Sequence, residues 1–298
     1  MFSTRFKRQW LVKLTMLFIL VVPGICSATV IARMHTTLGI IDIQLYDTET
    51  PLTVANFLSY ARSGAYVNSI IHRSMPGFIV QGGGYVWNST TNLLNYVVAN
   101  PPVMNEYSAD RSNLRGTIAM AKLGNDPNSA TNQWFFNLAD NSANLDFQNG
   151  GFTVFGQVLN KGMNVVDAIA ALPILPNQNP PFDNLPLSTP ITNNTVQKSN
   201  LVIVERVSVL ASTATASNRV FAYLESLYPE KLSPANSLHP NSKVWMTGSG
   251  YYYRYYAKTK RYVAIANGKV YWGTELGNTL KPIETLKNLL VKASALGY

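Results

Sequence analysis

The stretch SIIHRSMPGFIVQGGG, residues 69–84, places Arg73 one short step ahead of the apolar run Phe78, Ile79 and Val80, with Gln81 wedged between that run and three glycines. Arginine is always charged and normally sits in water, whereas the apolar run reads as a buried or half-buried strand. Other chemistries have little to work with. His35, His72 and His239 fall on no metal-ligand spacing, so each reads as structural or solvated and no metal is expected. The one cysteine, Cys26, lies in the N-terminal segment, which rules out thiol chemistry and thiolate zinc sites in residues 29–298. No G-x-S-x-G elbow and no G-x-G-x-x-G occur, and QGGGY does not open a βαβ unit, so a nucleotide cofactor is not expected. The arginine is left as the candidate.

The elements that must position it read as short strands separated by polar loops. VIARMHT and GIIDIQLY form two strands across a Thr-Leu-Gly turn, with Ile41, Ile43 and Leu45 on one face. An amphipathic helix comes next, with Thr50 as its cap, Pro51 at its first position, Val54, Phe57, Leu58 and Ala61 at helical spacing, and Gly64 at its end. Residues 85–115 are rich in Asn, Ser, Thr and Pro and read as a long surface loop. GTIAMA, QWFFNLAD and FTVFGQVL are strands parted by loops, and KGMNVVDAIAAL is a second helix with Met163, Val166 and Ile169 inward. Residues 173–199 hold six prolines and read as an extended loop, after which LVIVERVSVL supplies a last strand. The pattern predicts a mostly β fold, a closed barrel plugged by two helices.

The two ends differ from this body. Arg5, Lys7, Arg8 and Lys13 precede the apolar run LTMLFILVV and a small-residue site, the pattern of a secretory signal peptide over residues 1–28. That predicts an exported chain, periplasmic in the first instance, with no membrane span after cleavage at Ala28. ASTATAS opens a linker over 211–218, which leaves 29–210 as the main domain and 219–298 as a small α+β domain. The overall charge of +9 is concentrated at the ends: residues 215–298 carry 11 basic and 4 acidic residues, against 9 and 11 in residues 29–214. Nine tyrosines and tryptophans fall within residues 245–272, a mixture that suits either a tyrosine-built core or an anionic envelope surface; no nucleic-acid partner is expected. NRVFAYLESLYPEKL reads as a helix, GYYYRYYAKTKRYVAIANGKVYWG as a three-stranded meander turning at Asn267-Gly268, and PIETLKNLLVKASALG as a last helix.

Four segments, IHRSMPGFIVQGGG, RGTIAMA, NQWFFNLAD and GFTVFGQV, resemble in order and spacing the signature segments of the cyclophilins, peptidyl-prolyl cis-trans isomerases, across residues 30–210. The resemblance, which extends to exported bacterial cyclophilins, implies an eight-stranded antiparallel barrel with the active groove on its outside. It puts Arg73 in the place of the catalytic arginine, with Gln81 beside it and Gln133 nearby. Phe78, Ile79, Phe135 and Leu145 fall where the proline pocket is lined, and Phe152 at its last wall. Ala121 and Lys122 occupy the segment whose backbone pairs with the peptide. Departures are Asn144 for an aromatic, Phe152 for a histidine, Ile79 for a methionine and Lys122 for an asparagine. No cofactor is implied, and the partners are proline-containing polypeptides. The competing reading is a non-catalytic module that holds such segments and is tethered to the envelope by its tail.

Overall fold

The computed structural model describes residues 30–176, 178–191, 195–210, 215–232, 244–246, 252–256, 258–274, 277–296 and 298. The segment read as a signal peptide, residues 211–214 of the linker, and His239 lie outside them.

Apolar alternation makes β1 (Ile31–Thr36) and β2 (Gly39–Leu45), and Thr36 Oγ1 stabilises the turn between them by accepting from the Leu38 and Gly39 amides. Then come α1 (Pro51–Ser63), β3 (Ser69–Met75), β4 (Ile79–Asn88), β5 (Leu93–Tyr96), β6 (Thr117–Met120) and β7 (Trp134–Asn137). They are followed by the short α2 (Ser142–Leu145), β8 (Val154–Val158), α3 (Gly162–Ala170) and β9 (Ile203–Leu210). The strands run β3-β9-β1-β2-β8-β6-β7-β4, and β3 pairs with β4 to close an eight-stranded antiparallel barrel. Ile41, Ile43, Leu45, Val80, Ile118, Phe136 and Phe155 fill it, joined by Val54 and Phe57 of α1 and Val166 and Ile169 of α3, as the periodicities predict.

Three local expectations change. Residues 85–96 are not loop: Tyr85, Val86 and Trp87 prolong β4, and β5 pairs with it as a ninth strand outside the ring. The polar composition there hid a short alternation whose Tyr85 and Trp87 are buried against Ile70, Leu201 and Ile203. The loop before β8 also holds α2. At the start of α1, the Thr50 hydroxyl donates to the Tyr46 carbonyl and makes no side-chain cap. The free helix amides of Leu52 and Thr53 instead donate to the Glu106 carboxylate, at 3.1 and 2.8 Å, an anion at the positive end of the helix.

The tail comprises α4 (Ala216–Leu227), β10 (Val244–Met246), β11 (Tyr252–Tyr256), β12 (Arg261–Ala266), β13 (Lys269–Thr274), β14 (Gly277–Thr285) and α5 (Leu286–Ala295). Its sheet is a five-stranded meander, two strands more than expected, because β10 and β14 flank the three read from sequence. The Pro282–Thr285 segment belongs to β14, and Thr285 Oγ1 caps α5. Asn267 and Gly268 adopt the positive φ that a tight hairpin requires. Phe221, Leu224, Val263, Ile265, Val270 and Leu289 form the tail's core, and Ile31 and Leu159 of the barrel belong to the same cluster.

A buried polar cluster joins the two units. Arg33 of β1 grips Asp42 of β2 through Nε and Nη2, at 2.8 and 2.9 Å, and donates through Nη1 to Glu225 of α4. Glu225 also accepts from Arg254 and from the Tyr256 hydroxyl, and the Tyr298 hydroxyl donates to Asp42. Burial by itself would raise the Glu225 carboxyl, but Arg254 and Arg33 outweigh it and hold the group below the ordinary carboxylate range. Two cations face two anions. Removing one member strands a buried charge, which costs about 3–5 kcal/mol. Glu225→Ala is therefore expected to lower unfolding free energy by about that amount, measured by denaturant titration, and a loss under about 1 kcal/mol would contradict the arrangement.

Two buried histidines give the barrel an acid limit. Burial, then the charges of Arg206 and Arg33, hold the His35 imidazole down at about 2, and burial with the charge of Arg73 holds His72 at about 4. An unfolded histidine titrates near 6.5, so as pH falls below that value the unfolded chain takes up protons that the folded chain refuses. Stability is thus complete above roughly pH 6.5 and falls as pH drops towards 4, by on the order of 3 kcal/mol for His72 alone. Thermal unfolding from pH 7 to 4 is expected to show this decline, reduced in a His72→Gln variant; equal slopes for the two chains would refute the assignment.

Candidate active site

Side chains of paired strands alternate between the barrel interior and its outer surface. On β4, Val80 points inward with its partner Phe136, while Ile79 and Gln81 point outward. Gln81 lies opposite Phe135 of β7, Phe135 opposite Ala119 of β6, and Ala119 opposite Val154 of β8. One outward row therefore crosses four strands and joins Gln81 to the cluster of Ile79, Ala119, Phe135, Leu145 and Val154, against which Phe78, Ala121, Phe152 and Tyr46 pack.

Arg73 reaches this row through a bulge. Ile71 pairs with Gly82, yet Arg73 pairs with Gln81, so His72 is an extra residue on β3. Residues two apart on a regular strand share a face, but across the bulge Ile71 faces the core and Arg73 faces outward with Gln81. The half-buried Arg73 donates through Nη1 to Gln81 Oε1 at 3.3 Å, and Gln81 Nε2 donates to Gln133 Oε1 at 2.8 Å. The expected arginine–glutamine pair and Gln133 are thus one chain of hydrogen bonds along the rim of the apolar notch.

The glycines serve close approach. A Cβ on Gly82 would lie 2.8 Å from the Trp134 indole, and one on Gly83, whose φ is +84°, 2.5 Å from the Asn132 carbonyl. Of the three, only Gly83 has a positive φ. Their bareness lets Trp134 fill the barrel directly under Arg73's partner strand.

Phe78, Ile79, Ala121, Phe135, Leu145 and Phe152 all converge on the notch, where the Phe135 and Phe152 rings meet edge to face at 5.8 Å. The Ala121 amide donates to the Gln133 carbonyl, so that donor is already used within the protein. Lys122 contributes its side chain: Nζ donates to the carbonyls of Asn149 and Gly151 at 2.8 and 2.6 Å. Asn144 is exposed on α2.

Sequence reasoning missed the notch residues Ala119, Val154 and Tyr46, and a buried amide network beneath it. Asn141 Nδ2 holds the Phe78 carbonyl, Asn113 Nδ2 holds both Asp146 and the Phe152 carbonyl, and Asn137 links the two. Asn113, Asn137 and Asn141 fall in segments read as loop or strand end, where asparagine is ordinary, and only their shared burial reveals them. Ala119 and Val154 could have been found from alternation on the strands already read.

A sequence model of the family described as "Cyclophilin type peptidyl-prolyl cis-trans isomerase/CLD" matches residues 31–190. The chain is 42% identical over 155 residues to a peptidyl-prolyl cis-trans isomerase of Acinetobacter baylyi, spanning 52% of this chain and 79% of that protein. It is 42% identical over 160 residues to peptidyl-prolyl cis-trans isomerase A of Dickeya dadantii, spanning 53% of this chain and 78% of that protein. To peptidyl-prolyl cis-trans isomerase B of Escherichia coli it is 40% identical over 139 residues, spanning 45% and 80%. Residues 191–298, which include the whole tail, lie beyond the matched region. The matched residues 31–190 contain every barrel strand except β9 and all the residues of the notch, and the chain belongs to the cyclophilin-type peptidyl-prolyl cis-trans isomerases.

Proposed function

We propose that Arg73 is the catalytic group of this isomerase, acting on X-Pro bonds seated in the Phe135 notch, and that its clients are exported proteins during folding. The observation that carries the first part is the Arg73–Gln81–Gln133 chain running beside an apolar notch on the same barrel face.

Rotation about an amide costs about 18–20 kcal/mol because the C–N bond has double-bond character, and for X-Pro the uncatalysed step takes tens to hundreds of seconds. That conjugation is lost when the prolyl nitrogen becomes pyramidal and its lone pair localises. A guanidinium donor aimed at that lone pair binds the twisted amide better than the planar one, which is differential transition-state binding. Phe78, Ile79, Phe135, Leu145 and Phe152 hold the ring, Gln81 fixes the fork, and the carbonyl before the proline swings. No proton changes hands, and no cofactor takes part. The half-buried setting strengthens the donor relative to one in open water.

Support for export is the basic, apolar and small-residue pattern of residues 1–28. The tail's excess of basic residues supports contact with an anionic envelope surface, with the periplasm as the compartment. Among the described residues no helix is long and apolar enough to cross a membrane. Fractionation of cells making the full chain is expected to place a shortened product outside the cytoplasm, and full-length protein confined to the cytoplasm would count against export.

Arg73→Ala is expected to lower kcat/KM on an Ala-Pro peptide by about 10²–10³, the usual consequence of deleting one transition-state donor. The unfolding midpoint should stay close to that of the parent, since the side chain leaves no buried charge behind. Activity within threefold of the parent would remove Arg73 from the mechanism.

A further inference from the structure

The loop that carries Phe152 has an unusual backbone. Asn149, Gly150 and Gly151 all have positive φ, at 49°, 73° and 75°. Glycine tolerates this readily and asparagine more readily than most residues. A Cβ on Gly151 would lie 2.4 Å from the Tyr107 ring, so the chain passes there with no space to spare. The loop is pinned by side chains. Asn105 Nδ2 donates to the Gly150 and Gly151 carbonyls at 2.8 and 3.0 Å, and Asn149 Nδ2 donates to the Leu123 carbonyl at 2.8 Å. Lys122 supplies the one cation among these ties, bonded to the Asn149 and Gly151 carbonyls, and its Nζ lies 4.7 Å from the centroid of the Phe152 ring. Phe152 thus meets Phe135 edge to face and has an ammonium over its own ring.

We propose that Lys122 is a positioning residue for the isomerase: its ammonium, shared between the Asn149 and Gly151 carbonyls, holds the Phe152 wall against the proline notch, so that peptide affinity depends on the charge of this side chain. Hydrogen bonds from an ionised donor are roughly twice as strong as neutral ones, and an uncharged amine has one donor fewer. Loss of the proton therefore loosens the wall without touching Arg73. Burial lowers the Lys122 ammonium to about 8, opposed by the attraction of Asp126 on the same loop. From the neighbouring segment, Tyr107 packs on Gly151, and Glu106 is committed to the amides of α1. From the Phe152 side, the ring itself carries no charge. The working range of the groove therefore has an alkaline limit.

This rests on the groove being the isomerase site, and the test separates the two. Turnover of an Ala-Pro peptide is measured on the full chain by exchange NMR from pH 6.5 to 9.5, with kcat and KM resolved, for the parent, Lys122→Arg, Lys122→Met and Arg73→Ala. The parent's KM is expected to rise about fivefold to tenfold with a midpoint near pH 8 while kcat stays level, the size of effect expected from weakening one charge-assisted contact. Lys122→Arg, which keeps a charge through this range, should hold KM low throughout, and Lys122→Met should show the raised KM at every pH. A parent KM that does not rise, a rise that persists in Lys122→Arg, or a Lys122→Met chain with the parent's KM at pH 7 would each overturn the proposal. If Lys122→Met fails to fold, the first two readings still decide. Should Arg73→Ala turn over normally, the mechanism assigned to Arg73 fails, while the KM readings still decide the role of Lys122.

Discussion

Everything in the site depends on holding a guanidinium half out of water without neutralising it. Arg33 and Arg73 answer the problem of an arginine drawn out of water in opposite ways. Arg33 is locked between Asp42 and Glu225, its donors used and its charge balanced. Its work is structural. Arg73 is held through a neutral carbonyl oxygen, Gln81 Oε1, and among the described residues it makes no ion pair. A carboxylate in place of Gln81 would bind the fork more strongly and take from it the donor strength that a localised lone pair can use. A glutamine fixes direction and leaves the charge in place, and Gln133 fixes the glutamine in turn.

The barrel supplies this arrangement through two elementary features. Alternation sends Val80, Ile118 and Phe136 inward and Ile79, Ala119 and Phe135 outward, so one set of strands builds both the core and the notch. The bulge at His72 then breaks alternation between Ile71 and Arg73, so that Ile71 can serve the core while Arg73 serves the groove. His72 itself is buried, and burial in that position is what makes it resist protonation. The bulge that turns Arg73 outward therefore also buries one of the two histidines that set the acid limit.

Much of this was legible in the chain. The strands that build the barrel, α1 with its Gly64 end, the Asn267-Gly268 hairpin and most of the residues lining the notch come from periodicity, turn chemistry and four resembling segments. What escaped reading depends on partners far apart in sequence. Glu106 caps α1 from more than fifty residues away, and nothing local marks it. Tyr85 and Trp87 prolong β4 inside a stretch whose polar composition reads as loop. The extra residue on β3 leaves no trace in the pattern, because a bulge is defined by the opposing strand. Asn113, Asn137 and Asn141 look like ordinary turn residues until they are seen buried together. The tail reads as a separate unit by composition, yet Arg33, Asp42 and Ile31 of the barrel are part of how it is held.

If Arg73 is the catalytic group, as proposed above, a fixed fork, and not positive charge alone, speeds the twist of the prolyl amide. Arg73→Lys tests this most directly, because the ammonium keeps the charge and loses the planar, pre-aligned donor pair. Measured by exchange NMR at saturating Ala-Pro peptide, turnover in that variant is predicted to fall more than about tenfold, one transition-state hydrogen bond's worth. Turnover within twofold of the parent would show that charge suffices and that the geometry of the fork is not what lowers the barrier.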